Sequence, residues 1–439
     1  PSSESPPTAY KLRPSQPCTA ATVKKLFKTA LKINELAVNT ATNAADWFFR
    51  KEILIQSGKT EYEVIAEHLP MRVRYYAPMA ASPNASLAEG ETETPTNRQH
   101  AVPLVLVPPL GVTTETFDLM PDRSLVKAMV EAGFRVYLVD WGKPERKDGH
   151  LGLFDYSHDM MGQALQAVRE HSGSREISLF GWCMGGLLCL LYAGYGHDKH
   201  IRNLVTVASP IDLRDGKNIM AVASNTLNVT ARFIRKYSEF RLDRINPALF
   251  SPPGWMVSLG FKLTAPVASI TTYWDLLTRL NDRDFVEQHT TTADYLNNMM
   301  LYPGGVLRDF MVRFAVDNKL AQGKVKIGDK FSDLGNISAN MLVFAGETDH
   351  LVPGSMAKKS LKLVSSKDKS FLLAPGGHMG VILGSQAREH VWKKAADWLR
   401  GHSQLEAPAP RTRKPRSGIV RSPAPKKAST SEKNIPRAA

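Results

Sequence analysis

Between residues 102 and 208 four short apolar runs alternate with segments of helical period, and few folds accommodate that rhythm. The runs are Val102–Val107, Phe134–Asp140, Glu176–Phe180 and Leu204–Ala208. Helix candidates lie between them at Arg123–Ala132, Asp155–Glu170 and Leu187–Tyr195. A strand that is apolar throughout, rather than at every second residue, is buried on both faces. Strands separated by helices join in parallel. The rhythm stops near residue 213 and resumes with Asn340–Ala345, Ser355–Val364, Ser370–Leu373 and Gln386–Arg400. The expected class is therefore α/β: a mostly parallel sheet covered by helices and interrupted by a helical insertion.

The boundaries follow from composition. Residues 1–20, rich in Pro and Ser, read as a disordered arm. Residues 21–75 form a helical and then extended segment, 76–212 the first part of the core, 213–335 a helical cap or lid, 336–402 the second part of the core, and 403–439 a disordered basic tail. In the first of these helices Leu26, Ala30, Ile33, Ala37, Ala41, Ala44 and Phe48 recur at spacings of three and four. That stripe predicts a helix docked on the body, with contact to a lipid surface as the alternative. An acidic, small-residue loop is expected over Ala81–His100.

Charge is unevenly spread. The tail from residue 403 holds nine Lys/Arg and two Glu, half of the net charge of +14. The fold itself is only moderately basic and is not expected to bind nucleic acid. The tail, with Arg411, Arg413, Lys414 and Arg416, resembles nucleic-acid-binding arms, and its simpler reading is a solvated, solubilising segment. Three cysteines (Cys18, Cys183, Cys189) are too few for a disulfide framework and fit a reducing, cytoplasmic compartment. No apolar run reaches the roughly 18 residues of a membrane span. The first residues have no apolar signal core, although a start at Pro1 leaves processing open. No metal cluster or phosphate loop is visible, and no bound cofactor is expected.

The chemistry concentrates at Gly181-Trp182-Cys183-Met184-Gly185-Gly186, which follows a strand and opens a helix. This is a nucleophile elbow, G-x-S-x-G, with Cys in place of Ser. Gly181 and Gly185 flank the nucleophile because side chains there would collide with neighbouring backbone. The sulfur of Cys183 then stands at a positive helix end, which favours thiolate. The Met184 backbone N–H is placed to stabilise an oxyanion. Cys189, six residues on, reads as packing.

A nucleophile needs a base and an orienting acid, which on this fold follow in the order nucleophile, acid, His. Asp349 follows the strand Asn340–Ala345 and His378 follows Ser370–Leu373. One helix and one strand separate them, the span that brings adjacent strand ends together. His350 is the weaker candidate for the base, because the order rule favours the later His.

These segments resemble the polyhydroxyalkanoate synthases, α/β-hydrolase-fold enzymes with a catalytic Cys. The resemblance is carried by Leu119–Leu125 leading into Val136–Gly142, by Gly181–Gly186, by Tyr273-Trp274 and Leu301–Gly304 in the insertion, and by Asp349–Pro353 and Gly377–Gly380. It covers roughly residues 60–400. It implies that Cys183 takes the acyl group, that His378 activates its thiol, and that Asp349 assists His378 or the attacking hydroxyl. It also implies a (3R)-hydroxyacyl-CoA substrate, a growing polyester, a cytoplasmic granule surface, and a homodimer or partner subunit. Where the family carries an Asn-(Lys/Arg)-x-Tyr-type stretch after the first core strand, this chain has Pro108-Pro109-Leu110-Gly111-Val112, which leaves the second oxyanion donor unassigned.

The expected activity is thus acyl transfer through an acyl-Cys intermediate, with CoA as leaving group. Two alternatives stand beside it: a cysteine thioesterase or polyester hydrolase on the same scaffold, and a non-catalytic granule- or nucleoid-associated factor using the basic tail.

Overall fold

The computed structural model describes residues 20–78, 99–216, 219–238, 245–263 and 266–403. The expected arm with Cys18, most of the acidic loop and the basic tail lie outside the described residues.

Eight strands form the central sheet. They are β1 (Glu63–His68), β2 (Met71–Tyr76), β3 (Leu104–Val107), β4 (Val136–Asp140), β5 (Ile177–Trp182), β6 (Ile201–Val207), β7 (Asn340–Gly346) and β8 (Lys369–Ala374). Their spatial order is β1-β2-β4-β3-β5-β6-β7-β8. Six of them, from β4 to β8, run parallel, and the β1–β2 hairpin adds an antiparallel edge. The strands β3 to β7 are apolar runs of the sequence, buried on both sides, whereas the edge strand β8 is partly exposed. In β3, Val105 and Val107 join one core cluster while Leu104 and Leu106 join the other. That division is the period-two geometry of a strand covered on both faces. Between β6 and β7 the chain leaves the sheet for residues 208–339, yet the two strands pair directly, from Asn203 opposite Asn340 to Val207 opposite Phe344.

The insertion is helical over Ile219–Tyr237, Gly254–Leu263, Pro266–Thr278, Arg283–Asn297 and Gly304–Asp309. Its last part departs from the all-helical expectation. Lys324–Ile327 and Lys330–Asp333 form an antiparallel hairpin. The hairpin packs on the back of the helix Met184–Gly194, where Ser332 Oγ donates to Leu191 O at 3.0 Å. The expected helix from Asp155 also differs, opening with a π turn, Asp155–Met160, before regular helix over Met161–Ser172.

The N-terminal helix, Ala20–Phe49, departs most from expectation. Only its last turns dock. Asn43 and Asp46 are buried; Asn43 Nδ2 donates to Leu280 O at 2.8 Å, and Asp46 pairs with Arg283. Phe27, Leu31, Ile33, Leu36 and Val38 stay more than half exposed. Periodicity marks an apolar face but does not say what covers it. Here nothing in the chain's described residues reaches most of that face.

Candidate active site

The turn after β5 has the geometry its glycines were expected to allow. Cys183 takes φ 52°, ψ −118°, outside the regions open to ordinary side chains at low cost, and the helix Met184–Gly194 starts at the next residue. Two backbone bonds hold it there: Cys183 N–H donates to Val207 O at 2.8 Å, and Leu187 N–H to Cys183 O at 3.1 Å. A Cβ on Gly181 would sit 2.5 Å from Gly186 Cα, and one on Gly185 would sit 2.0 Å from Val107 O. Gly186 was not singled out in the sequence, yet a Cβ there would meet Ser209 Oγ at 2.0 Å. The elbow is therefore wedged between β3, β6 and its own helix. Cys183 remains partly accessible, while Cys189 is fully buried with its thiol pushed well up by burial.

Asp349 and His378 come together in the turns after β7 and β8. His378 Nδ1–H donates to Asp349 Oδ2 at 2.9 Å, and both side chains are almost completely buried. The other carboxylate oxygen, Oδ1, accepts the backbone N–H groups of Leu351 at 2.9 Å and Val352 at 2.8 Å. Asp349 is thus held on both oxygens, and its orientation sets that of the ring. The Trp182 indole lies along the other side of the imidazole, ring centroids 5.7 Å apart. With Nδ1 bonded to Asp349, Nε2 is the ring nitrogen left for another group; it is buried and has no hydrogen-bond partner. Cys183 is close enough for its charge and thiol to act on the imidazole, without an aligned hydrogen bond. His350 is exposed to solvent and takes no part in this pair.

Burial by itself would lower the pKa of His378. The Cys183 sulfur and the Asp349 carboxylate more than offset it, and the imidazole is raised to about 10. A raised histidine contributes stability in full below its unfolded value of about 6.5, and loses that contribution as pH rises through the folded value. Unfolding midpoints should therefore fall between these limits more steeply for the wild type than for His378→Gln. In Cys183→Ala the His378 ring should titrate at lower pH than in the wild type, as followed by ring-proton NMR. An unmoved titration would show that the sulfur does not act on the ring.

Beyond β3, Pro108 and Pro109 have no N–H to offer, so Leu110 carries the first backbone donor after that strand. The loop is pinned from both sides. Trp141 Nε1–H donates to Pro108 O at 2.9 Å, and Met300 N–H of the insertion donates to Gly111 O at 2.9 Å. Among the described residues no group of His, Cys, Asp or Glu is arranged to hold a metal ion.

Residues 104–385, well over half of the chain, match the model of the α/β hydrolase fold. Several curated relatives are named poly(3-hydroxyalkanoate) polymerase subunit PhaC. The protein from Haloferax mediterranei is 30% identical over 351 residues, 80% of this chain and 66% of that one. The Haloarcula marismortui protein is 26% identical over 86% of this chain and 76% of its own length, and the Allochromatium vinosum protein 29% identical over 68% and 80%. The chain belongs to the α/β-hydrolase fold family and, within it, to the polyhydroxyalkanoate synthases. It spans just under two thirds of the Haloferax synthase.

In this synthase-family chain the cap also reaches the elbow. From the stretch Trp255–Ile270, Val257 and Phe261 pack on the cluster that includes Cys183, whereas Trp255, Met256, Leu259 and Leu263 face outward. Tyr295, buried, and Tyr302, half-buried, also from the cap, lie close enough to Cys183 for its charge to raise both phenols, after the larger effect of burial. The Tyr295 hydroxyl hydrogen-bonds Thr116 Oγ1 at 2.8 Å. Tyr302 lies in the Leu301–Gly304 stretch, but its packing on Gly111 is a tertiary contact without local signal.

Proposed function

We propose that the chain is an acyltransferase that polymerises (3R)-hydroxyacyl groups from CoA thioesters, with Cys183 as nucleophile, His378 as general base and acid, and Asp349 as its orienting partner. One observation carries this reading: an imidazole fixed by a buried carboxylate, its Nε2 unpaired and its ring packed against Trp182, the residue before Cys183.

The steps follow from that arrangement. His378 Nε2 takes the thiol proton of Cys183. The thiolate attacks the thioester carbonyl, and the Met184 N–H at the helix end stabilises the oxyanion. The bond from carbonyl carbon to CoA sulfur breaks, and His378 returns the proton to the leaving thiolate. The acyl group now sits on Cys183 as a thioester, so little of its activation has been lost. The hydroxyl of a second hydroxyacyl unit then gives its proton to His378 and attacks the Cys183 carbonyl. A new ester forms, and the Cys183 sulfur leaves. The cap over the elbow keeps water from competing with that hydroxyl. CoA takes part as the leaving half of the substrate, and no resident cofactor is required.

The reading extends to a granule surface, a cytoplasmic setting, and a second copy or partner subunit, for which the uncovered apolar face of the N-terminal helix is the supporting feature. No helix among the described residues is long and apolar enough to cross a membrane.

The test is incubation with (3R)-3-hydroxybutyryl-CoA, followed by peptide mass mapping and product analysis. The expected result is a hydroxybutyryl adduct on Cys183 together with oligoester. CoA release with only the free acid as product would assign the same site to hydrolysis.

A further inference from the structure

Trp182 is the residue before the nucleophile, and none of the steps above uses it. It closes β5 and is fully buried. Its backbone pairs with Val207 of β6, so its position is as fixed as the sheet. Along β5 the side chains of Phe180 and Trp182 enter one core cluster, and those of Ile177 and Leu179 the other. The cluster that takes Trp182 also takes Ala374, Val381 and Ile382, which bracket His378 in the chain. The indole therefore lies against the turn that carries the imidazole. The two rings stand 35° apart with centroids 5.7 Å from each other, closer to parallel than to edge-on.

Packing alone does not account for an indole here. Its N–H is buried and has no hydrogen-bond partner, and a buried donor left unpaired costs free energy. Phenylalanine or leucine would occupy the slot without that cost. What indole offers beyond them is a larger and more negative π face, which attracts a cation held within about 6 Å. His378 becomes such a cation each time it takes a proton. Its side chain is almost wholly buried, which opposes charge on the ring. The charged groups that act on it are Cys183 from the elbow and Asp349 from the turn after β7. Asp349 is present throughout the cycle. Cys183 is an anion only while its thiol proton rests on His378; once acylated it is a neutral thioester. When the hydroxyl of the incoming unit then gives its proton to His378, no thiolate stands opposite the ring.

We propose that Trp182 is a positioning residue for the general base: its π face holds and stabilises the protonated His378 ring, and does so most in the transfer step, when Cys183 is uncharged. The proposal rests on the acyl-transfer reading and adds which half-reaction the indole serves.

Two measurements on the full chain test it. In the Cys183→Ala background, ring-proton NMR follows the titration of His378. The midpoint should fall from Trp182 through Trp182→Phe to Trp182→Leu, by about one pH unit between the ends. Replacing the seven tryptophans with 5-fluorotryptophan weakens the π face at nearly constant volume and should also lower the midpoint; in Trp182→Phe the same replacement should leave it unmoved. With Cys183 intact and (3R)-3-hydroxybutyryl-CoA as substrate, rapid quench and adduct mass give the rate of acylation and the rate at which the adduct passes to oligoester. Trp182→Leu should slow the second about tenfold and the first by less than about threefold. A midpoint that ignores both substitution and fluorination overturns the proposal. Equal losses in the two rates also overturn it, since they mark packing alone. The fluorinated protein decides the matter where Trp182→Leu fails to melt as a folded chain. A wild type that forms no Cys183 adduct overturns the acyl-transfer reading, while the titration still reads the indole on its own.

Discussion

Cys183→Ala abolishes CoA release from hydroxyacyl-CoA, leaving less than about one part in 10³ of wild-type turnover. The variant keeps the Met184 N–H, the Asp349–His378 pair and the cap, and loses only the sulfur on which the proposed acyl transfer depends. Its fold survives, because Cys183 is partly exposed and its β-carbon is retained. Cys183→Ser separates two aspects of the site. The serine hydroxyl holds its proton far more tightly than a thiol, so His378 must remove it during attack. The resulting ester also stores less activation for the next transfer. The expected outcome is weak release of CoA with little or no chain growth. CoA release is read with a thiol reagent and the adduct by mass, under matched protein concentrations. Turnover by Cys183→Ala within tenfold of the wild type would remove the thiol from the chemistry and leave the buried carboxylate–imidazole pair without a reaction.

Gly185→Ala collapses the fold. A Cβ at this position would lie 2.0 Å from Val107 O and 2.8 Å from Pro108 C and O, all backbone atoms of the central strand β3 and the turn after it. No side chain can rotate away to make room. Either the elbow helix or β3 must shift, and β3 pairs with both β4 and β5. The expected loss is at least about 3 kcal/mol, at the upper end of overpacking costs. The control is Gly260→Ala in the cap helix Gly254–Leu263, where a Cβ meets nothing within 4 Å. That change should be neutral or stabilise by up to about 1 kcal/mol, through helix propensity alone. Thermal melts of the two variants give the comparison. Equal midpoints would mean that the backbone contact at Gly185 is not what excludes a side chain.

Much of this architecture was readable from residues alone, for reasons that differ from element to element. The core strands β3 to β7 stand out because burial on both faces demands uninterrupted apolar runs. The elbow stands out because a tight strand-to-helix turn tolerates no side chain at Gly181 or Gly185. Asp349 and His378 could be paired because each follows a strand, and β7 and β8 are neighbours. The N-terminal helix was read correctly as a helix, and its docking is confined to its last turns, since a stripe of Leu, Ile and Phe is the same whether its cover belongs to this chain or not. The β-hairpin at 324–333 was missed because its strands, Lys-Val-Lys-Ile and Lys-Phe-Ser-Asp, have only four residues each, a weak signal inside a helical region. The placement of Tyr302 against Gly111 was hidden for another reason. It depends on how a cap segment crosses the loop after β3, and no local pattern encodes that crossing.

The direct pairing of β6 with β7 across residues 208–339 has a consequence for descent and for engineering. The excursion leaves and re-enters the sheet at neighbouring rungs, as a pendant hung from two adjacent hooks. Its length and content can change while the scaffold that presents Cys183, Asp349 and His378 keeps its dimensions. Transplanting the excursion from one relative into another is thus a graft with two closely spaced sutures, and new substrate tastes can be acquired there without rebuilding the reactive centre beneath.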